Sequence, residues 1–214
     1  GIAQAFLIGA SFIGADSVAL ILGDNVFYGD NLPTLLSDCQ TLRKGATIFG
    51  YEVKDPERYG VIEFDDKFCI KNIIEKPQIA PSSFAVTGLY FYDNDVLEIA
   101  KMLHPSKRGE LEITDVNVAY LERGDLQVRL LQRGFAWLDT GTHDALQKAA
   151  LFVQTIQERQ GIKIACIEEI AYQMGYIELE QLERLAHHLE KSEYGLYLKQ
   201  CVAKASRPIP LSLF

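Results

Sequence analysis

Nowhere in the 214 residues does an apolar run approach the length of a membrane span, and the first residues lack the basic-then-apolar pattern of a secretory signal. A cytoplasmic protein that does not enter membranes is therefore expected. Basic residues are in short supply: 21 Lys and Arg stand against 29 Asp and Glu, a net charge of -8. That balance disfavours non-specific attraction to nucleic acid polymers or anionic lipid, while leaving room for an individual nucleotide pocket. Cysteines are few and unpaired in spacing. Cys39, Cys69, Cys166 and Cys201 lie far apart, so neither a zinc site nor a disulfide framework is indicated, and reduced structural thiols are expected. There is no internal repeat and no low-complexity linker. A beginning is lacking too. Gly1 opens in the middle of an amphipathic helical pattern, "GIAQAFLIGASFIG", with no capping residue ahead of it, which reads as the interior of a longer chain.

What is present is an ordinary globular composition, 48% hydrophobic and 23% charged, in a chain long enough to bury roughly 70% of its unfolded surface. Apolar periodicity predicts a helix over 2–13, a buried strand over 17–22, a helix over 31–43 and a strand over 46–53. "YGVIEFDDKFCIKNIIEKP" reads as a hairpin and "FAVTGLYFYD" as a strand, after which Asp93 or Asn94 is expected to cap a helix to about Leu103. A helix over 110–123, a strand over 127–131 and a long helix over 143–160 follow. Thr142 is the expected cap of that long helix, and Leu146, Ala149, Ala150, Val153 and Ile156 form its apolar stripe. The pattern predicts an α/β core with a mixed sheet over 1–142, a helical region over 143–205 in which two or three amphipathic helices follow the long one, and a short tail from 206.

The run "SVALILGDNVFYGD" is an apolar strand that breaks into Gly23, Asp24 and Asn25. In open α/β sheets ligands gather outside the carboxyl ends of strands, which places Asp24 where a site would be, and Gly23 permits close approach of a ligand. Asp139, in "WLDTGT", ends another short apolar segment. Two such carboxylates suit one hard cation, normally Mg2+, held against phosphate oxygens, and Lys76 in "IIEKP" would be a natural phosphate ligand beside them. Spacing leaves the plainer alternative open, because Asp and Asn after strands are also common turn residues and Lys76 before Pro77 also reads as the solvated end of an extended segment.

Taken together, "LGDNVFYG", "DPERYGVIEFD", "IIEKP", "AVTGLYFYDNDV", "RGELEITDVN" and "GFAWLDTGTHDAL" closely resemble the glucose-1-phosphate thymidylyltransferases, bacterial sugar nucleotidyltransferases, in unbroken order from Gly1 to about Leu198. The resemblance implies a Rossmann-like nucleotidyltransferase fold and the reaction of dTTP with α-D-glucose 1-phosphate to give dTDP-glucose and pyrophosphate. It implies in-line attack by the sugar-phosphate oxygen on the α-phosphorus, without a covalent enzyme intermediate, so that catalysis is positioning and charge neutralisation. Asp24 and Asp139 match the Mg2+ ligands and Lys76 the lysine that holds the sugar phosphate. Tyr59, Gly60, Glu75 and Val86 match positions around the glucose ring, and Gly1, Leu22 and Gly23 match positions near thymine and ribose. Tyr90 and Trp137 are further candidates for the sugar wall, with plain core packing as the alternative. No histidine is assigned a catalytic role, because the attacking phosphate oxygen is already ionised near neutral pH; His143 reads as a first-turn helix residue.

The resemblance further implies a homotetramer with a second nucleotide site at a subunit interface, responsive to dTDP-rhamnose. Arg133, Lys163, Glu169 and Ile170 stand at matching positions, although surface ion pairs and ordinary packing explain them equally well and Gln173 stands where a basic residue is usual. One departure is large. The Gly-rich loop GGxGTRLxPxT that embraces the triphosphate occurs nowhere in the 214 residues, so these residues alone are expected to lack half of the nucleotide site and to be inactive. Two alternatives stand beside the main reading: a non-catalytic sugar-phosphate-binding or regulatory protein of the same fold, and a nucleotidyltransferase that uses UTP or CTP.

Overall fold

Nine residues rich in aromatic and β-branched side chains, Phe84–Tyr92, form the strand on which the sheet is organised. Seven of them, all but Phe84 and Phe91, are buried, and the strand pairs with β-strands along both of its edges. The structure, a computed structural model, describes residues 1–40 and 43–206. These divide between Ala145 and Leu146 into two compact units. In chain order the first carries α1 (Gln4–Ile8), α2 (Ala10–Ile13), β1 (Val18–Ile21), β2 (Asn25–Tyr28), α3 (Leu32–Gln40), β3 (Ala46–Glu52), a single 3-10 turn at Pro56–Arg58, β4 (Gly60–Phe64) and β5 (Ile70–Glu75). It continues through β6 (Phe84–Tyr92), α4 (Val96–Met102), α5 (Ile113–Glu122), β7 (Leu126–Leu131) and β8 (Ala136–Asp139), and ends as α6 (His143–Gln160) begins.

The main sheet runs β5-β4-β6-β3-β7, with β1 alongside β6. It is mixed: β3 and β7 are parallel and the other pairs antiparallel. β1 lies against the second half of β6, pairing Val18 with Tyr92 and Ile21 with Leu89, while β4 meets the start of β6 at Ala85. Helices supply the rest of the core. Phe6 from α1 meets Tyr92 edge-on at 5.4 Å, and Tyr92 stacks on Tyr120 from α5 at 5.5 Å. Their hydroxyls, buried with the rings, are satisfied: Tyr92 donates to Asn117 Oδ1 and Tyr120 to Asp93 Oδ1, both at 2.6 Å.

Several boundaries differ from expectation for local reasons. The helix predicted over 2–13 breaks at Gly9 into α1 and α2. The residue at the N-cap of α4 is Asp95, which makes no side-chain cap, while Asp93 serves the helix start from two residues upstream: its Oδ1 accepts the Asp95 N–H at 3.1 Å as well as the Tyr120 hydroxyl, and its Oδ2 accepts the Gly45 N–H at 2.5 Å. The helix predicted over 110–123 starts only at Ile113, with Glu112 extended. Residues 41 and 42, in the expected last turn of the 31–43 helix, lie outside the described residues. The two-stranded ribbon β2–β8 was not predicted. Thr142 does cap α6, its hydroxyl accepting the Ala145 N–H at 3.2 Å, yet of the expected stripe only Ala149 is buried.

The second unit continues with α7 (Ile167–Gln173), α8 (Leu179–His188) and α9 (Glu193–Ala205). Leu182, Ala186, Tyr197, Leu198, Cys166 and Cys201 form its core. Ser192 caps α9 through a hydroxyl that accepts the Gly195 N–H at 3.0 Å. Apart from Ser206, the expected tail lies outside the described residues. All four cysteines are free thiols, and no described helix is long and apolar enough to cross a membrane.

Candidate functional site

The unpredicted ribbon builds the site. β2 and β8 pair antiparallel with Asn25 opposite Asp139, which brings the turn after β1 and the end of β8 to one place. Thr140 fastens them, donating both its N–H (2.7 Å) and its hydroxyl (2.8 Å) to the Asp24 carbonyl. The next residue, Gly141, donates its N–H to Asp139 Oδ1 at 3.1 Å. A methyl group added to Gly141 would sit 3.2 Å from Asp139 Oδ1 and 3.6 Å from Asp24 Oδ2, so the two carboxylates face the same small space. Among the described residues no group of three His, Cys, Asp or Glu side chains is placed to hold a metal. A pair of carboxylates beside open space nevertheless fits Mg2+, which keeps several waters and takes few protein ligands when phosphate oxygens complete its shell.

A cavity of about 160 Å³ opens beside the pair. Tyr59 and Gly60 line it where β4 starts, Glu75 and Lys76 where β5 ends, Val86 and Tyr90 from β6, and Trp137 from β8, with Leu22, Asp24 and Asp139 completing the sequence-predicted members. Gly1 and Gly23 are not among its lining, although their neighbours Ile2 and Leu22 are. Gly1 packs on the Leu111 backbone, and Gly23 has open space where a side chain would be. Of the positions matched to a regulatory site, Arg133 lines another cavity of the first unit, beside Tyr51 and Phe135. Lys163, Glu169 and Ile170 belong to the helical unit, where Glu169 accepts from the Tyr197 hydroxyl at 2.6 Å and Ile170 is exposed.

Local conformation explains how these side chains are held. Lys76 does not prolong β5: its φ is +41°, in the left-handed region, which turns the chain sharply before Pro77. Its N–H still bonds the Tyr59 carbonyl at 3.0 Å. Gly60 leaves room that a Cβ would take, 3.1 Å from Thr114 Oγ1 and 3.4 Å from Glu75 Oε2. Trp137 stands between aromatic neighbours, 5.1 Å from Tyr59 and 5.9 Å from Tyr51 by ring centres. Burial, with Asp139 nearby, pushes the Tyr59 phenol up from its ordinary value despite the opposing Arg58 charge, and burial does the same for Tyr90. Both stay neutral hydroxyls. His143 is exposed at the start of α6.

Sequence reasoning passed over four residues that the fold brings here. Thr114 donates to Glu75 Oε2 at 2.5 Å. Arg108 reaches Glu75 at 3.5 Å, Glu110 at 2.7 Å and Glu112 at 3.5 Å, placing a second cation on the cavity wall with Lys76. Arg58 Nη2 lies 3.8 Å from Asp139 and its Nη1 2.9 Å from Asp55. Asn25 bonds both Asp24 and Trp137. Thr114 and Arg108 fall within "RGELEITDVN", a stretch legible as a motif but not residue by residue.

Residues 1–156 match the family model described as nucleotidyl transferase. The chain is 55% identical over 204 residues to the glucose-1-phosphate thymidylyltransferase of Neisseria meningitidis, covering 95% of this chain and 71% of that protein. It is 54% identical over 204 residues to the enzyme of the same name from Mycobacterium tuberculosis, of which it covers 70%. A crystal structure from Bacillus anthracis, described as a glucose-1-phosphate thymidylyltransferase in complex with sucrose, is 43% identical with a TM-score of 0.62 over 71% of this chain and 60% of that one. A UDP-glucose pyrophosphorylase complexed with UDP-glucose is 26% identical, with a TM-score of 0.64 over 72% of this chain and 62% of that one. The mixed sheet flanked by helices is thus the nucleotidyltransferase fold, and the chain belongs to the nucleotidyl transferase family and, within it, to the glucose-1-phosphate thymidylyltransferases.

Proposed function

We propose that this protein transfers a thymidylyl group from dTTP to α-D-glucose 1-phosphate, forming dTDP-glucose and releasing pyrophosphate. The observation that supports the reading best is a single cavity wall carrying the Asp24 and Asp139 pair, the Lys76 cation and the Glu75 carboxylate. In the reaction an oxygen of the sugar phosphate forms a bond to the α-phosphorus of dTTP while the bond from that phosphorus to the bridging oxygen breaks and pyrophosphate leaves. The nucleophile is an ionised phosphate oxygen and needs no general base. Lys76, with Arg108 beside it, neutralises the sugar phosphate and turns it toward the nucleotide. Glu75, held by Thr114, accepts hydrogen bonds from sugar hydroxyls, and an epimer that cannot supply them leaves the carboxylate unpaired. Tyr59, Gly60, Val86, Tyr90 and Trp137 shape the sugar wall, and Leu22 faces the nucleotide side. Asp24 and Asp139 hold Mg2+, which when bound neutralises charge building on the phosphate oxygens.

Assembly as a homotetramer, a cytoplasmic setting and a dTDP-rhamnose-responsive site at Arg133, Lys163, Glu169 and Ile170 go with this reading. Exposed apolar residues on α7, Ile167 and Ile170, and Met174 at its C-terminal end suit burial against another subunit.

Two measurements test the proposal. Glucose 1-phosphate titrated calorimetrically into the protein is expected to bind, with galactose 1-phosphate roughly 10-fold weaker or more. The protein in its natural full-length form, given dTTP, glucose 1-phosphate and Mg2+, is expected to release pyrophosphate and form dTDP-glucose, with UTP and CTP the poorer donors. Binding without turnover in that form would replace the enzyme by a sugar-phosphate-binding protein, and preference for UTP or CTP would move it to another nucleotidyltransferase class.

A further inference from the structure

Asn25 is where the separate walls of the site meet. It opens β2 opposite Asp139 and turns its carboxamide toward Gly88 in the middle of β6. Its Oδ1 accepts the Gly88 N–H at 3.0 Å and the Trp137 Nε1–H at 2.7 Å, and its Nδ2 donates to Asp24 Oδ1 at 2.9 Å. The amide can face only one way. Two N–H donors converge on one terminal atom, which must be the oxygen, and the NH2 group is left for the carboxylate. A glycine in the middle of a strand marks a place where something approaches the backbone closely. Here that something is the Asn25 amide: a Cβ on Gly88 would stand 2.5 Å from Asn25 Oδ1 and 2.6 Å from its Cγ.

We infer that Asn25 is a positioning residue. Its carboxamide, seated on Gly88, fixes the Asp24 carboxylate and the Trp137 indole against one another, so that a divalent cation at the Asp24 and Asp139 pair and a sugar against Trp137 sense each other. This rests on the cation and sugar-phosphate reading proposed above. Asp24 is exposed, so close packing does not set its rotamer and the amide donor does. Donors of this kind orient a ligating carboxylate and tune its hold on a metal. The amide also conducts the effect. When a cation draws charge from Asp24, the N–H bonded to that carboxylate and the carbonyl at the other end of the same conjugated group change polarity together, and the indole bond changes with them.

Trp137 is the single tryptophan of the chain, so its indole N–H gives one self-assigned signal in a proton–nitrogen correlation spectrum. Mg2+ added to the protein with glucose 1-phosphate is expected to move that signal. In Asn25→Ala the signal starts elsewhere and ignores Mg2+, while Mn2+ binding, read by electron paramagnetic resonance, weakens roughly 10-fold or more. Gly88→Ala displaces the amide without altering Asp24 and is expected to give the same pair of effects; it serves where Asn25→Ala fails to fold. A purely structural role lowers the melting temperature but leaves Mn2+ affinity and the Mg2+ response intact, and that result overturns the inference. So does an unaltered protein that binds Mn2+ while its indole signal stays still. Failure of the unaltered protein to bind Mn2+ at all removes the metal reading of Asp24 and Asp139, and this inference with it.

Discussion

Thr140 grips the Asp24 carbonyl from two directions, N–H at 2.7 Å and hydroxyl at 2.8 Å, so that the residues following β8 clamp the turn that follows β1. The clamp makes Asp24 and Asp139 neighbours although 114 residues separate them in the sequence. Replacing either by Asn keeps shape and removes one negative charge. In the natural full-length protein each variant is expected to lose about 10² in turnover, comparable to losing one transition-state electrostatic contact, with its melting curve little changed and part of the loss recovered by excess Mg2+. Parent turnover in both variants would end the metal reading.

Thr114 and Glu75 yield a second expectation. The hydroxyl bond of 2.5 Å fixes one carboxylate oxygen and leaves the other toward Arg108 and the cavity. Thr114→Val keeps the volume and removes the donor. The carboxylate then gains freedom to rotate, and discrimination between glucose 1-phosphate and galactose 1-phosphate should fall by roughly 10-fold, in line with about 1 to 1.5 kcal/mol for one hydrogen bond. The ratio of kcat/KM for the two sugars measures this directly. An unchanged ratio would mean that Glu75 is held by Arg108 and the fold alone.

Much of this was legible from local pattern. β1, β3, β6, the β4–β5 hairpin, α6 and its Thr142 cap lie where periodicity and turn chemistry put them, because those signals are written in short stretches. The burial expected of β1 and of the α6 stripe is not seen, since β1 alternates between half-buried and exposed and only Ala149 of the stripe is buried. The β2–β8 ribbon was not. Its strands, "NVFY" and "AWLD", are four residues each and far apart in the chain, and neither makes sense without the other as partner. The candidate site shows the same division. Asp24, Lys76 and Asp139 announce themselves at strand ends, whereas Asn25, Thr114 and Arg108 acquire meaning only from the atoms they face. Lys76 is a particular case: a residue before proline is biased toward extended backbone, and only the fold shows it in the left-handed region.

The edge of β1 yields an expectation about behaviour in solution. β1 is hydrogen-bonded to β6, and among the described strands none pairs with its other edge. Ile21 is 58% exposed there, and Ile8 and Phe12 on the neighbouring helices are 84% and 92% exposed. An apolar strand edge with free backbone groups is a template for pairing with another chain. The 214-residue chain by itself is therefore expected to associate at micromolar concentration, and Ile21→Lys to lower its weight-average mass in sedimentation. Identical sedimentation of the two would clear this edge and point to the apolar residues of α7.

Lys76 combines strain with charge, and two substitutions separate them. At φ +41° a residue with a Cβ is strained by about 1 to 2 kcal/mol, which glycine escapes. Glycine gives back roughly 0.5 to 1 kcal/mol through the extra freedom of its unfolded chain. Lys76→Gly should therefore gain about 0.5 to 1 kcal/mol of stability, whereas Lys76→Ala keeps the strain and should change little. Both remove the ammonium group from the cavity wall, so both should raise the Michaelis constant for glucose 1-phosphate by roughly 10-fold or more while moving that for dTTP far less. Such a pair of results would mean that the strained backbone is retained for the sake of the cation it presents. Equal damage to both constants would place Lys76 on the nucleotide instead, and a Lys76→Gly variant less stable than Lys76→Ala would show that the left-handed turn costs the fold nothing.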